Sequence, residues 1–234
     1  MLGTILLIIC CIVLPILIHQ NTIKKYEKTS YYQITKKPYY IMKHDAGSYG
    51  EYLIYQYLQT LEQKGFKFLF NLYIPKENNE TTEIDVLIIC PKGIFVFESK
   101  NYSGWIYGSE NQKNWTQVLP NGKTSTKIQF YNPITQNKTH IRCLKKLLKK
   151  DTQYHSIISF SDRCTLKKIN LINNDVFVIN RYDVSKIMAK ICNNIKEPIL
   201  SPEEIEEIYK KLYPYTQISE EDKQKHIENI KKYK

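Results

Sequence analysis

The chain has 234 residues, 42% of them hydrophobic and 24% charged, which excludes a disordered polymer. That length holds a membrane segment plus one ordinary domain, or two small domains. The formal net charge is +11, and it lies wholly beyond residue 23, because the first Asp, Glu, Lys or Arg is Lys24. Such an excess points to a polyanionic partner, nucleic acid or an anionic membrane surface, although an AT-biased genome also yields Lys-, Asn- and Tyr-rich usage.

Leu2–Ile18 is an uncharged apolar run of 17 residues, the short end of what crosses a bilayer core. A cleaved signal peptide would need a positive n-region and a small-residue cleavage site, and neither is present. Lys24, Lys25 and Lys28 follow the run, which predicts a single-pass anchor in the cell membrane with the C-terminal bulk cytoplasmic. The cysteines at 10, 11, 90, 143, 164 and 192 include no C-x-x-C pair, so a reducing compartment is expected and a structural zinc site is not.

Residues 21–45 read as a polar, Lys/Tyr-rich tether along the membrane surface. Gly47-Ser48-Tyr49-Gly50-Glu51 then opens an amphipathic helix on Tyr52, Leu53, Tyr55, Leu58 and Leu61, with Gly65 as its stop. Glu51 falls in the first turn, where the positive end of the helix dipole alone would favour it. Phe66–Ile74 reads as a strand and Pro75–Thr82 as a polar loop.

The stretch Glu83–Lys100 is two apolar strands, Ile84–Cys90 and Ile94–Phe97, around a Pro91-Lys92-Gly93 break, which is a hairpin pattern. Asp85, Glu98 and Lys100 interrupt it. A two-residue Pro91-Lys92 loop sets Asp85 opposite Glu98; a three-residue loop displaces it by one position. Glu98 and Lys100 share a face in either case. A Glu-x-Lys at a strand end is commonly an exposed ion pair of little consequence. The Asp inside a run that does not alternate argues instead for two buried faces with charges gathered at one end, which is costly unless they are paired or bound to metal.

Asn101–Lys127 reads as short strands and loops, with Trp105 and Trp115 as core residues rather than base-stacking platforms. Pro133–Lys150 is a helix on Ile134, Ile141, Leu144 and Leu148. Arg142, Lys145, Lys146, Lys149 and Lys150 load its second half, either as a solvated face suited to the dipole or as a phosphate-contacting ridge. Gln136 and His140 share a face one turn apart, and an apolar-flanked His is more often structural. Ser156–Phe160 and Val176–Ile179 suit strands, and Val184–Cys192 suits a helix. Ser201-Pro202-Glu203-Glu204 is a capping-box helix start, and Ser219-Glu220-Glu221-Asp222 resembles another.

Gly50-Glu51 at a helix start, Glu83-Ile84-Asp85, Gly93–Gly104, Trp115, and Asn132–Asn137 with His140 together resemble the nuclease-related domain (NERD) family. The match covers Gly47 to Leu148 and weakens toward Ile179. The resemblance implies an α/β (α+β) fold of the PD-(D/E)XK restriction-endonuclease-like type, a central mixed sheet flanked by helices, here preceded by one transmembrane helix. It implies a magnesium or manganese ion held by Asp85 and Glu98, with Glu51 as the helix-borne acid, Lys100 beside them and Gln136 as an auxiliary. The expected layout is anchor 1–20, tether 21–45, nuclease-like core 46–150, the rest of that domain 151–200, and a helical tail 201–234. The expected function is metal-dependent phosphodiester hydrolysis in nucleic acid, DNA foremost. The alternatives are a non-catalytic nucleic-acid docking module and a lipid-surface protein. No helicase, kinase or zinc module is appended, so such a partner would be a separate chain.

Overall fold

The computed structural model describes residues 13–77, 80–150 and 152–232. Four helices come first: α1 (Leu14–Glu27), α2 (Ser30–Thr35), α3 (Tyr39–His44) and α4 (Ala46–Leu58). Their breaks have local causes. Thr29 caps α2 by accepting the Tyr32 N–H, Pro38 sits extended ahead of α3, and Asp45 caps α4 by accepting the Ser48 N–H at 2.8 Å. A 3-10 turn, Gln59–Lys64, then ends at Gly65 in the left-handed region, as expected of that stop.

Residues 21–45 therefore do not form the solvated tether that their composition suggests. Tyr26, Tyr31, Ile34 and Met42 are buried in the main core. Among its tyrosines, Tyr26 and Tyr31 bury their rings while their hydroxyls find partners, and Tyr40 stays exposed. Tyr26 packs edge-on against Tyr32, Tyr39 and Tyr52, and its hydroxyl donates to the Lys37 carbonyl at 2.7 Å.

The strands are β1 (Lys67–Pro75), β2 (Thr81–Cys90), β3 (Gly93–Lys100), β4 (Gly104–Ser109), β5 (Asn114–Asn121), β6 (Thr124–Tyr131), β7 (Tyr154–Phe160), β8 (Cys164–Asn170) and β9 (Val176–Asn180). The remaining helices are α5 (Pro133–Leu148), α6 (Val184–Asn194), α7 (Pro202–Leu212) and α8 (Glu220–Lys232). The architecture is mixed α/β, but with two mixed sheets where one was expected. The larger runs β1-β2-β3-β7-β9, antiparallel through β3 and parallel beyond it. The smaller runs β6-β5-β4-β8, with β4 and β8 parallel.

Parallel β3 and β7 need a long crossover, and β4–β6 together with α5 supply it. Helices α4 and α5 both pack on β3. Ser99 lies under Gly50 of α4 while its neighbour Glu98 meets His140 of α5, so the two helices cover opposite faces. Two-sided cover explains the unbroken apolar runs. Ile88, Ile89, Phe95 and Val96 are fully buried, each worth about 1.5–3 kcal/mol. Trp115 is fully buried and stacks on Phe160 in the core between the sheets, whereas Trp105 remains partly exposed.

Residues 2–12 of the apolar run lie outside the described residues. Among the described residues no helix is long and apolar enough to cross a membrane, so a transmembrane helix is not part of the observed fold. Leu14, Ile16, Leu17 and Ile18 on α1 are exposed.

Candidate active site

Cys90 pairs with Gly93, so the hairpin loop is Pro91-Lys92. The ladder Val86↔Phe97 continued by one step sets Asp85 opposite Glu98. On the other side of β2, the pairs Phe70↔Val86 and Leu72↔Ile84 bracket Asn71, which falls opposite Asp85. A polar row, Asn71, Asp85, Glu98, thus crosses the middle of an otherwise apolar sheet. Asn71 has φ of 50°, left-handed within a strand, a conformation that costs about 1–3 kcal/mol in non-glycine residues and least in Asn. Its Nδ2 donates to Glu51 Oε2 at 2.7 Å.

Glu51 enters from α4. The Tyr31 hydroxyl of α2 lies 3.1 Å from Glu51 Oε2 and 3.1 Å from the Ser48 carbonyl. Gly50, one residue earlier, permits this close seating. A Cβ there would lie 2.8 Å from Ser99 Oγ and 3.3 Å from Arg181 Nη2.

Glu98 is 1% exposed and engaged on both oxygens. Lys100 Nζ contacts Oε1 at 2.6 Å and His140 Nε2 contacts Oε2 at 3.0 Å. His140 Nδ1 in turn meets Thr82 Oγ1 at 2.7 Å. Lys100 Nζ also donates to Gln136 Oε1 at 3.1 Å. Asp85 is partly exposed, and its Oδ2 accepts the Ser99 N–H at 2.7 Å. The structure therefore brings Asp85, Glu98, Lys100 and Gln136 together, with Glu51 close enough to influence Asp85 electrostatically.

Burial raises the pKa of Asp85 well above the usual carboxylate value, and the charges of Glu98, Glu51 and Glu83 add to it. Burial also lifts Glu51, to about 7, against the pull of Lys37. In Glu98 burial is outweighed by Lys100 and His140, and the pKa falls. Burial lowers that of Lys100, but Glu98 and Asp85 more than reverse it, so the ammonium is firmly charged.

Mutually repelling carboxylates beside solvent are hard oxygen donors suited to magnesium or manganese. The chemistry of Asp85, Glu98 and Glu51 fits such an ion. Among the described residues no three acidic, His or Cys side chains are gathered into a metal-holding group; Glu98 is turned to Lys100 and His140, and Glu51 to Tyr31 and Asn71.

The basic residues of α5 are largely occupied elsewhere. Lys146 pairs with Glu77, Lys150 with Glu204 at 2.6 Å, and Lys145 lies over the Tyr154 ring. Lys149 is the left-handed cap, and Arg142 lines a surface groove with Lys146 and Glu77. All five lie C-terminal to the two α5 side chains that reach the site.

The sequence does not single out Tyr31 or Asn71, and it marks His140 as part of the family signature without a role in the site. Asn71 left a signal, a lone polar residue inside an apolar strand like Asp85. Tyr31 left none.

A mixed sheet whose hairpin sets an aspartate against a Glu-x-Lys, with a helix-borne glutamate beside them, is an arrangement consistent with nuclease-like domains of the PD-(D/E)XK type. A family model described as the nuclease-related domain matches residues 46–161, and the chain belongs to that family. A Bacillus anthracis protein, itself described as uncharacterized, is 31% identical over 184 residues, covering 79% of this chain and 83% of its own length. No solved structure matches the chain.

Proposed function

We propose that the protein hydrolyses phosphodiester bonds in nucleic acid, with DNA as substrate, at the Asp85/Glu98/Lys100 site assisted by Glu51 and Gln136. The observation that carries this reading is the single line of contact from Glu98 through Lys100 Nζ to Gln136, set on a hairpin whose register places Asp85 opposite Glu98. Asp85, Glu98 and Glu51 are the groups that would hold magnesium or manganese. When bound, such an ion supplies charge neutralisation at the phosphate and a more acidic water.

The chain's own residues do the rest. Lys100, held as an ammonium, donates hydrogen bonds and stabilises negative charge on the phosphate rather than accepting a proton. Gln136 fixes the direction in which that ammonium points. His140, itself fixed by Thr82, holds the far oxygen of Glu98, so its carboxylate plane is set before substrate arrives.

We further propose that residues 2–18 hold this domain on the cytoplasmic side of the cell membrane. The exposed Leu14, Ile16, Leu17 and Ile18, followed by Lys24 and Lys25, support that reading.

Titrating magnesium or manganese into the protein by calorimetry, alongside Asp85→Ala and Glu98→Ala, tests the site. Binding and DNA cleavage by the parent, both lost in the two variants, is the expected result. Equal cleavage by the parent and Asp85→Ala would remove the enzymatic reading. DNA binding without metal binding or cleavage would favour a docking module, a reading that the engagement of both Glu98 oxygens by Lys100 and His140 also supports.

A further inference from the structure

Two arginines that play no part in the site above meet beside it. The turn after β7 follows Phe160, the strand partner of Lys100, and the Ser161 N–H donates to the Lys100 carbonyl at 2.9 Å. That turn carries Arg163, exposed, whose Nη2 donates to the Asn101 carbonyl at 2.9 Å and reaches Asn101 Oδ1 at 3.3 Å. Arg181 approaches from the end of β9 and reaches the same Oδ1 with Nη2 at 3.4 Å. Two permanent cations thus converge on one neutral carboxamide oxygen, in the residue next to Lys100.

Neither arginine forms an ion pair among the described residues. Arg181 is 1% exposed, its Nε is buried without a partner, and among the described residues its guanidinium makes one long hydrogen bond, to Asn101. Ser99 Oγ and Ser159 Oγ, side by side in the β3–β7 register, are also buried without partners. Ser99 Oγ and Arg181 Nη2 both border the space that a Cβ on Gly50 would fill. A buried guanidinium is costly unless an anion accompanies it. The nearby acid is Asp162, exposed and already accepting the Tyr182 N–H at 2.9 Å.

The cluster is also held in place. Asn101 Nδ2 donates to the Ala46 carbonyl at 2.7 Å, which fixes the carboxamide. Asn180 Nδ2 donates to the carbonyls of Ser161 and Cys164 at 3.1 and 3.0 Å, which fixes the turn.

We infer that Arg163 and Arg181 form a phosphate site next to the proposed catalytic cluster, and that it takes a backbone phosphate of the bound nucleic-acid strand. The inference rests on the nuclease reading for the identity of its ligand. Planar, forked donors match a phosphate oxyanion, which joins the fixed Asn101 Oδ1 as an acceptor of the two guanidinium groups. Arg163 makes the contact at the surface, while Arg181 supplies charge from beneath and tightens the fork.

The test uses the full chain without divalent metal, so that cleavage plays no part. Duplex DNA binding is followed by fluorescence anisotropy over a range of salt, for the parent, Arg163→Glu and Arg181→Lys. Arg163 is exposed, so its variant keeps the fold, and circular dichroism checks Arg181→Lys. Arg163→Glu is expected to weaken binding at least about tenfold and to reduce the logarithmic salt slope by about one. Arg181→Lys keeps the charge but loses the fork, and a loss of about threefold or more is expected. Affinity and salt slope unchanged in Arg163→Glu would overturn the site.

Calorimetry with inorganic phosphate distinguishes the source. Phosphate binding that depends on both arginines, without DNA binding, would keep the oxyanion site and assign it to a free phosphate. No binding of either probe would overturn it. Arginine-dependent DNA binding by a protein that never cleaves with magnesium would remove the nuclease reading and leave this site standing. Cleavage by a parent whose Arg163→Glu variant binds equally well would do the reverse.

Discussion

Glu110, which follows β4, and Asp85, on β2, are both acids, and their surroundings drive them in opposite directions. Glu110, directly after β4, is 5% exposed and fully served by its own chain. It accepts from Lys138 Nζ at 2.8 Å, from the Ile172 and Asn173 N–H groups at 2.8 and 3.0 Å, and from the Asn173 side-chain amide. Burial would raise its pKa, but these donors outweigh it and bring it down to about 2. Asp85 accepts one backbone N–H and sits among the charges of Glu98, Glu51 and Glu83, and its pKa rises. The first acid is there to hold two loops together. The second is left short of positive charge, because burial and three neighbouring carboxylates outweigh the pull of Lys100.

The largest effect expected from this contrast is on chemistry. Asp85→Asn keeps an acceptor for the Ser99 N–H yet removes one repelling charge. DNA cleavage is expected to fall ~1000-fold or more, about 4 kcal/mol in the barrier. The melting temperature of the metal-free protein stays level or rises. A matching fall in both quantities would place Asp85 with Glu110 as a structural acid.

Glu110→Gln should behave in the opposite way. It leaves Lys138 and the Asn173 N–H groups poorly served, and urea denaturation is expected to show a loss of about 2–3 kcal/mol. Cleavage per folded molecule stays within about twofold.

The two acids also differ in how stability follows pH. The folded pKa of Glu110 is depressed, so its contribution is present above about 4.5 and lost as pH falls toward about 2. The folded pKa of Glu51 is raised to about 7, so its contribution is present below about 4.5 and lost as pH rises through 7. Thermal melts of the metal-free protein should show Glu110→Gln flattening the acid limb and Glu51→Gln flattening the neutral one. Both variants altering the same limb would break the comparison.

The smallest effect is expected on α5. Lys146 and Glu77 form an exposed pair, which solvent and salt screen to little net effect. Lys146→Glu should weaken DNA binding by about threefold at most, well below Arg163→Glu in the same anisotropy experiment.

The hairpin was legible in the sequence because β-branched runs around Pro91-Lys92 leave few other pairings, and Asp85 broke the pattern visibly. The Ser201 capping box was legible for a similar reason, being local chemistry with a fixed spacing, and both of its hydrogen bonds are present. The start of α4, the Gly65 stop beyond its 3-10 turn and the α5 face were likewise local. What escaped was set by tertiary contact. Tyr31 looks polar by composition and buries because Phe70 of β1 and Tyr52 of α4 receive its ring. β8 alternates poorly and exists because β4 offers a parallel edge. The lysines of α5 formed a conspicuous run, yet their carboxylate partners at 77 and 204 lie far away in sequence. Arg163 and Arg181 stood alone in the chain, and only folding brings them to Asn101.

Tyr31 lies ahead of the stretch that matches the family, residues 46–161, and still touches Glu51 within it. Its ring also packs edge-on against Tyr52 and Phe70, at centroid distances of 5.4 and 4.8 Å. Excising the matched stretch alone would bare those rings to water and strip Glu51 of one of its two donors. The stretch that matches the family is therefore completed, at its buried acid and at its core, by a side chain that precedes it.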